Sequence, residues 1–129
     1  MMKMLVVVGA GGCVGTLFRY ILYGIPYKFL DTSFPLGTLL VNFIGALLIG
    51  YFMEFSLTRS YISDTVRMFI AIGILGGFTT FSTFSYETIA LLKTGNILYV
   101  FLNIFLTNFL CLGGTFVGMK CVDLFKQGA

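Results

Sequence analysis

Five hydroxyl side chains lie within seven residues of one apolar stretch, from Thr79 to Ser85, directly after the glycine pair Gly76-Gly77. In a chain that crosses a membrane, this combination predicts a helix that is broken mid-membrane. A break releases backbone N–H and C=O groups, which are tolerated at bilayer depth only where protein or a water-filled path surrounds them. These residues therefore indicate a place where ions bind or pass.

The two ends of such a break carry opposite partial charges. If the first half of the helix ends near Gly76-Gly77, its last carbonyls are free and lie at the negative end of the helix dipole. The second half then begins near Thr79 and Thr80, which are good N-cap residues, and its free amides form a positive end. Carbonyls of Gly76 and Thr79 offer an all-oxygen site that suits sodium better than a transition metal. A bound cation and a helix N-terminus both favour an anion as the permeant species.

Two phenylalanines, Phe81 and Phe84, lie three residues apart on one face of the second half-helix. Aromatic rings carry a negative face and a positive edge, so an anion can approach the ring edges. Packing is the usual role of phenylalanine in a membrane helix and stays open as the alternative. The neighbouring hydroxyls of Ser82 and Thr83 favour a pore lining.

Other apolar runs contain further polar side chains. Asn42 lies in the second run, and Asn103, Thr107 and Cys111 in the fourth are spaced by four residues, so they form one stripe of a helix. Intramembrane polar residues are candidates for an ion pathway, with hydrogen bonding between helices as the alternative. Arg19, at the end of the first run, either attracts anions into a vestibule or serves in an interfacial or structural ion pair.

The residue types that are missing argue against an enzyme. The sequence has no histidine, which removes the commonest acid–base group and metal ligand. Glu54 and Glu87 lie near the ends of apolar runs, so no carboxylate is expected at the membrane centre. Proton-driven antiport is hard to build without such an acid, and passive permeation is favoured.

Composition places the chain in a membrane. Of its 129 residues, 58% are hydrophobic and 10% are charged, whereas soluble domains have about 25% charged residues. Four apolar runs, at about residues 4–23, 36–55, 66–92 and 98–119, each reach the roughly 20 residues that a spanning helix needs. We expect an all-α membrane protein in which residues 1–129 form a single four-helix domain. Small residues four apart, in Gly11xxxGly15, Ala46xxxGly50 and Gly114xxxGly118, predict close helix packing.

The basic residues are divided almost evenly between the two sides of the predicted topology. One side has Lys3, Arg59, Arg67, Lys120 and Lys126, and the other has Arg19, Lys28 and Lys93. Because Lys/Arg asymmetry sets orientation, this weak bias predicts insertion in both orientations. Four short helices also enclose too little to shield a polar path alone, so we expect an antiparallel dual-topology homodimer. The net charge of +3 is too small and scattered to suggest a nucleic-acid partner.

Three motifs in order along the chain carry a family resemblance: GGCVGTLFRY at residues 11–20, GTLLVNFIG at 37–45 and GGFTTFSTFS at 76–85. With them, the sequence resembles the Fluc family of small bacterial fluoride channels, also called CrcB proteins. The third motif is highly specific, and the four-helix length matches the whole chain. In the fourth helix the resemblance is weakest, because Asn103, Thr107 and Cys111 stand where the family often has Tyr or Ser.

The resemblance implies an antiparallel homodimer with two fluoride pores in the cell (plasma or inner) membrane. It implies a structural sodium ion at the dimer centre, bound by main-chain carbonyls matching Gly76 and Thr79 of both subunits. Phe81 and Phe84 match the family's pore phenylalanines, and Asn42 matches its pore asparagine. The activity implied is passive export of cytoplasmic fluoride, which lowers its toxicity.

Two other classes of protein stay open as alternatives. A small multidrug transporter also has four spans and dual topology, but it requires a carboxylate in the middle of its first helix, and residues 4–19 contain none. A structural subunit of a larger membrane complex explains the glycine pattern but not the hydroxyl residues from Thr79 to Ser85.

Overall fold

Helices make up the chain in a computed structural model that describes residues 2–127, with the backbone alone for residues 125–127. Helix α1 is Met2–Tyr23, a 3₁₀ turn is Pro26–Lys28, α2 is Leu36–Leu57, and the last helix, α6, is Ile97–Gln127. Residues 1, 128 and 129 of the predicted domain, and the side chain of Lys126 in the predicted charge division, lie outside this description.

The third span is built from several short pieces. Helix α3 is Asp64–Arg67, a π-helix is Met68–Leu75, α4 is Gly76–Phe78, and α5 is Phe81–Lys93. In the π-helix each backbone N–H donates to the carbonyl five residues earlier instead of four, as the Gly76 N–H does to the Ala71 carbonyl. Between α4 and α5 the backbone of Thr79 and Thr80 is extended.

Four stretches in the described residues are long and apolar enough to cross a bilayer: Met2–Lys28, Leu36–Leu57, Asp64–Lys93 and Ile97–Leu124. They cover the four predicted spans, so the prediction of an all-α chain with four spanning helices is confirmed. The helices differ in burial. In the most apolar part of each span, 44% of the residues of the second span are buried but only 11% of those of the first. Helix α2 is therefore the most enclosed of the four spans in a single chain.

Helix α1 packs backbone against backbone on the first half of the third span. A Cβ at Gly11 would lie 2.9 Å from the Gly73 Cα, and a Cβ at Gly77 would lie 2.7 Å from the Gly12 carbonyl oxygen. Gly15 likewise meets the backbone of Ile74. Since any side chain at these positions would collide with main-chain atoms, the packing role predicted for Gly11xxxGly15 is confirmed.

Helices α2 and α6 form the second close pair. A Cβ at Gly118 would lie 2.7 Å from the Tyr51 backbone nitrogen, and one at Gly50 would meet the Thr115 backbone. The Thr115 hydroxyl donates to the Ala46 carbonyl at 3.1 Å, which adds a hydrogen bond across the contact. The predicted small-residue packing of these two helices is confirmed.

A tight turn at residues 94–96 joins α5 to α6. Gly95 has φ +77°, its N–H donates to the Leu92 carbonyl, and the Asn96 N–H donates to the Leu91 carbonyl. These two bonds form a Schellman motif, in which glycine supplies the left-handed residue after the helix. The turn makes α5 and α6 neighbours and fixes which of their residues face each other.

Candidate functional site

The interruption of the third span lies at Thr79 and Thr80. Thr79 has φ −78° and ψ 157°, and Thr80 has φ −150° and ψ 110°, so both residues are extended. The first half-helix ends at Phe78, one residue after the predicted Gly76-Gly77, since both glycines are helical. The reason is that Gly77 serves the contact with α1, while the two threonines have partners outside the helix.

Asn42 of α2 supplies those partners for Thr80. The Thr80 N–H donates to the Asn42 Oδ1 at 2.8 Å, and the Asn42 Nδ2 donates to the Thr80 carbonyl at 3.0 Å. The Asn42 amide thus replaces the helical bond that the Thr80 N–H has lost, which keeps this backbone group satisfied where the helix is broken. The second N–H of the same Nδ2 is left for another acceptor.

The Thr80 hydroxyl caps α5 and gathers the neighbouring hydroxyls. It accepts from the Thr83 N–H at 3.2 Å, donates to the Thr83 Oγ1 at 2.9 Å, and lies 3.2 Å from the Ser82 Oγ. The predicted N-cap role of Thr80 is therefore confirmed. Ser82 is exposed and Thr83 half-buried, so the group opens toward the surface of the chain.

The two carbonyls predicted to bind a cation, those of Gly76 and Thr79, precede Thr80 in the chain. The Thr80 N–H, which would bond the Gly76 carbonyl in a continuous helix, is taken by Asn42. The Thr79 carbonyl accepts from the Arg19 Nη1 at 3.3 Å and retains a second lone pair. Main-chain oxygens of this kind are hard ligands, which suit sodium better than a transition metal.

An open cavity of about 460 Å³ lies beside the break, between α2, α6 and both halves of the third span. Six of the ten predicted site residues line it: Asn42, Gly76, Thr79, Phe81, Phe84 and Thr107. Ser82 and Thr83 are joined to its rim through Thr80, and Arg19 reaches it through the Thr79 carbonyl. Residues from three separate apolar runs are thus brought to one place.

The two phenylalanines of the site have opposite exposures. Phe81 is 77% exposed and Phe84 is 7% exposed, although their ring centroids are only 5.4 Å apart, with the planes at 46°. Phe84 is held inside one chain, and Phe81 projects from it. A ring that projects beside an open cavity is available to a second protein surface.

The predicted stripe on α6 divides into two parts. Thr107 and Cys111 line the cavity, whereas Asn103 is fully buried, with 0% exposure. The Asn103 Nδ2 donates to the Thr88 hydroxyl at 2.9 Å, and its Oδ1 accepts from the Thr107 hydroxyl at 3.4 Å. Asn103 therefore faces α5 and not the open side of the cavity.

Glu87, for which the sequence offers no role, lies at the middle of α5, between the break and the turn at residues 94–96. Its Oε1 accepts from the Tyr23 hydroxyl at 3.1 Å. Both residues line a smaller cavity of about 290 Å³. The bond ties the end of α1 to the second half of the third span.

Sequence patterns missed two functional candidates in this region. Thr88 bridges Asn103 and the Phe84 carbonyl, and Thr115 lines the cavity. A threonine inside a helix often donates its hydroxyl to the carbonyl four residues before it. This local rule could have predicted the bond from Thr88 to the Phe84 carbonyl. No local rule predicts the bond between Thr88 and Asn103, which lies on another helix.

These features define a multi-pass membrane protein whose third span is interrupted beside an open cavity, with polar side chains from three spans in the cavity lining. Residues 6–119 match the family described as CrcB-like protein, Camphor Resistance (CrcB). The chain belongs to this family, and the resemblance found in its three motifs is confirmed.

Curated relatives cover most of the chain. A protein of Geobacter sp. (strain M21) is 49% identical over 118 residues, which are 92% of this chain and 95% of that protein. A protein of Geotalea daltonii is 45% identical over the same shares. A protein of Clostridium perfringens (strain 13) is 50% identical over 90 residues, which are 70% of this chain and 70% of that protein. All three are named "Fluoride-specific ion channel FluC".

Proposed function

We propose that this chain is a fluoride-specific ion channel, not an enzyme, and that it exports cytoplasmic fluoride passively across the cell's inner membrane. The observation that carries the proposal is the site at Thr80, where hydroxyls, the Asn42 amide and two phenylalanines adjoin one open cavity. The names of the relatives at 45–49% identity over 92% of the chain support the same anion.

Fluoride is small and strongly hydrated, so a pore must replace the water that the ion loses. The second N–H of Asn42, the hydroxyls of Ser82, Thr83 and Thr107, and the edges of Phe81 and Phe84 are suitable donors. A narrow path lined by these groups excludes larger halides by size. The Arg19 guanidinium near the break raises the positive potential that draws anions toward it.

Asn103 belongs to this pathway through its contact with Thr107, whose Oγ1 lies 3.4 Å from the Asn103 Oδ1. Thr107 lines the cavity, and its hydroxyl can turn between that contact and a passing anion. Asn103 thus supports the polar lining that the sequence predicts from one layer behind the cavity wall.

The working unit in this proposal is an antiparallel homodimer with two pores. Phe81 is 77% exposed and the cavity is open in a single chain. In a bilayer, an interrupted backbone that faced lipid would leave polar groups without partners. A second copy in the opposite orientation covers the cavity and completes a pore wall, and the 5:3 division of basic residues permits both orientations.

A structural sodium ion at the dimer centre is part of the proposal. The carbonyls of Gly76 and Thr79 from both subunits would hold it, because the first lacks its helical donor and the second keeps a lone pair. Once bound, the ion supplies a fixed positive charge between two facing helix interruptions.

Fluoride efflux tests the proposed activity. Liposomes that contain the purified protein and are loaded with fluoride are expected to release it, as followed with a fluoride electrode, and identical vesicles loaded with chloride are expected to retain it. Protein-free vesicles set the leak rate. Release of both halides at equal rates, or retention of both, contradicts a fluoride-specific channel.

Reporter tags at the C-terminus test the dual topology separately. In the native membrane we expect tags to be accessible from both sides in comparable amounts. A single orientation overturns the antiparallel homodimer, even if the efflux experiment succeeds.

A further inference from the structure

We propose that Thr88 is a positioning residue of the channel, which acts with Asn103 to hold Phe84 at the wall of the cavity. This inference rests on the proposed function, because it concerns the conformation in which the phenylalanine side chains meet the anion. It assigns a role to a residue that no motif singles out.

A buried chain of hydrogen bonds carries the inference. The Thr107 hydroxyl donates to the Asn103 Oδ1, the Asn103 Nδ2 donates to the Thr88 hydroxyl at 2.9 Å, and the Thr88 hydroxyl donates to the Phe84 carbonyl at 2.7 Å. Thr88 and Thr107 are each 8% exposed, and Asn103 is fully buried. This series of hydrogen bonds therefore joins α6 to α5 inside the protein.

The direction of these bonds makes Thr88 the link between the two helices. Its hydroxyl uses its one proton on the Phe84 carbonyl and one lone pair on the Asn103 amide. Rotation of α5 about its axis, or sliding along α6, would break the second bond and leave a buried amide without an acceptor. Such a loss is costly in a protein interior, so the network fixes the register of the two helices.

Phe84 is the group whose place depends on this register. It lies one helical turn before Thr88, its ring is 7% exposed, and it lines the cavity. Its ring also stands 5.4 Å from that of Phe81. A small rotation of α5 would therefore change the angles at which both rings face the cavity.

Substitution of Thr88 separates positioning from packing. Thr88→Val has nearly the same shape but lacks the hydroxyl, and Thr88→Ser keeps the hydroxyl. We expect fluoride flux per folded protein to fall about tenfold in Thr88→Val, a change of 1.4 kcal/mol in the barrier, and to stay within about twofold of the original in Thr88→Ser. Native flux in folded Thr88→Val overturns the inference.

A double variant keeps the test valid if Thr88→Val alone does not fold. Thr88→Val with Asn103→Leu removes the hydroxyl and the amide together, so no buried amide is left unpaired. The Thr107 hydroxyl loses its Asn103 acceptor but still lines the open cavity. We expect this protein to fold and still to show the reduced flux. Full flux from the folded double variant shows that the network only stabilises the chain and overturns the inference.

A control and a second measurement distinguish this inference from the proposed function. Ser56→Ala removes another fully buried hydroxyl, which donates to the Met53 carbonyl, and it is expected to leave flux unchanged. With 4-fluorophenylalanine in place of Phe84, the fluorine-19 NMR shift should move in Thr88→Val and remain in Thr88→Ser. Without fluoride flux in the original protein the proposed function fails, whereas an unmoved NMR signal overturns the role of Thr88.

Discussion

The two halves of the third span are packed by different means. The first half contacts α1 through glycines, with Gly73 against Gly11 and Gly77 against Gly12, backbone to backbone. The second half, α5, contacts its neighbours through side-chain hydrogen bonds, such as that from Asn103 to Thr88. One span thus contains a tight apolar seam and a polar network, separated by Thr79 and Thr80.

This difference indicates where stability and where conduction depend on sequence. Close glycine contacts supply van der Waals packing in lipid, where apolar helices gain little from the hydrophobic effect. Polar groups in a membrane are costly unless they are paired, so a span that contains many of them points to a function that requires them. Substitutions at the glycine contacts of the first half with α1 should act on folding, and substitutions in the second half should act on flux.

The largest effect is expected at the glycine seam. In Gly15→Val, the added Cβ would lie 2.9 Å from the Phe78 backbone nitrogen, and main-chain atoms of a packed helix cannot move aside easily. Overpacking of this kind costs about 3 kcal/mol, so we expect little folded protein, measured as the monodisperse fraction in size-exclusion chromatography.

Gly76→Val is the matched comparison for that variant. A Cβ at Gly76 has the Ala71 carbonyl oxygen at 3.7 Å as its nearest neighbour, so one chain accommodates it. We expect this chain to insert and fold but to lose the dimer, because Gly76 is exposed beside the proposed dimer centre. If both variants lose folded chain to the same degree, the contrast between seam and interface is wrong.

A smaller but functional effect is expected at the phenylalanines. Phe81→Ile keeps apolar bulk and removes the positive ring edge, and such swaps usually cost less than about 1.5 kcal/mol of stability. Because Phe81 is 77% exposed in one chain, the fold of the chain should be unaffected. We expect the protein to fold but to lose most fluoride flux in the liposome experiment.

Phe84→Ile provides the second arm of this comparison. Phe84 is 7% exposed, so this variant should lose both some thermal stability and most of its flux. If Phe81→Ile and Phe84→Ile both conduct at the native rate, the rings serve packing alone and the aromatic-edge pathway is wrong.

Local patterns were sufficient to predict much of the fold. Run length and hydropathy located the four spans, because a spanning helix needs about 20 apolar residues whatever its neighbours are. The spacing Gly11xxxGly15 also predicted a close helix contact, because only small residues let two helix backbones approach each other. The cap at Thr80 also follows from residue type, as threonine is a favoured N-cap.

Contacts between distant residues were not predictable in this way. Asn42 and Thr80 are 38 residues apart, and their pairing depends on how α2 lies against the third span. The position of the break depends on the same contact, which explains why it falls after Gly77 instead of at it. The π-helix Met68–Leu75 has no pattern of its own in an almost uniformly apolar segment.

The smallest effect is expected at Thr79, although it lies at the centre of the site. Thr79→Ser keeps the hydroxyl that donates to the Leu75 carbonyl at 3.0 Å and removes a methyl group that lies against Gly45. Loss of one buried methyl costs about 0.8 kcal/mol. Because the proposed sodium ligand is the main-chain carbonyl, flux should stay within about twofold of the original, with the liposome assay as the measurement.

Thr80→Val gives this prediction its contrast. The Thr80 hydroxyl caps α5 and bonds the Thr83 hydroxyl, so its removal should destabilise the protein by about 1 kcal/mol and reduce flux by more than Thr79→Ser does. Two adjacent threonines would then differ because one contributes its backbone and the other its side chain. A tenfold loss of flux in Thr79→Ser would instead assign the function at Thr79 to its side chain, and the main-chain sodium site would have to be abandoned.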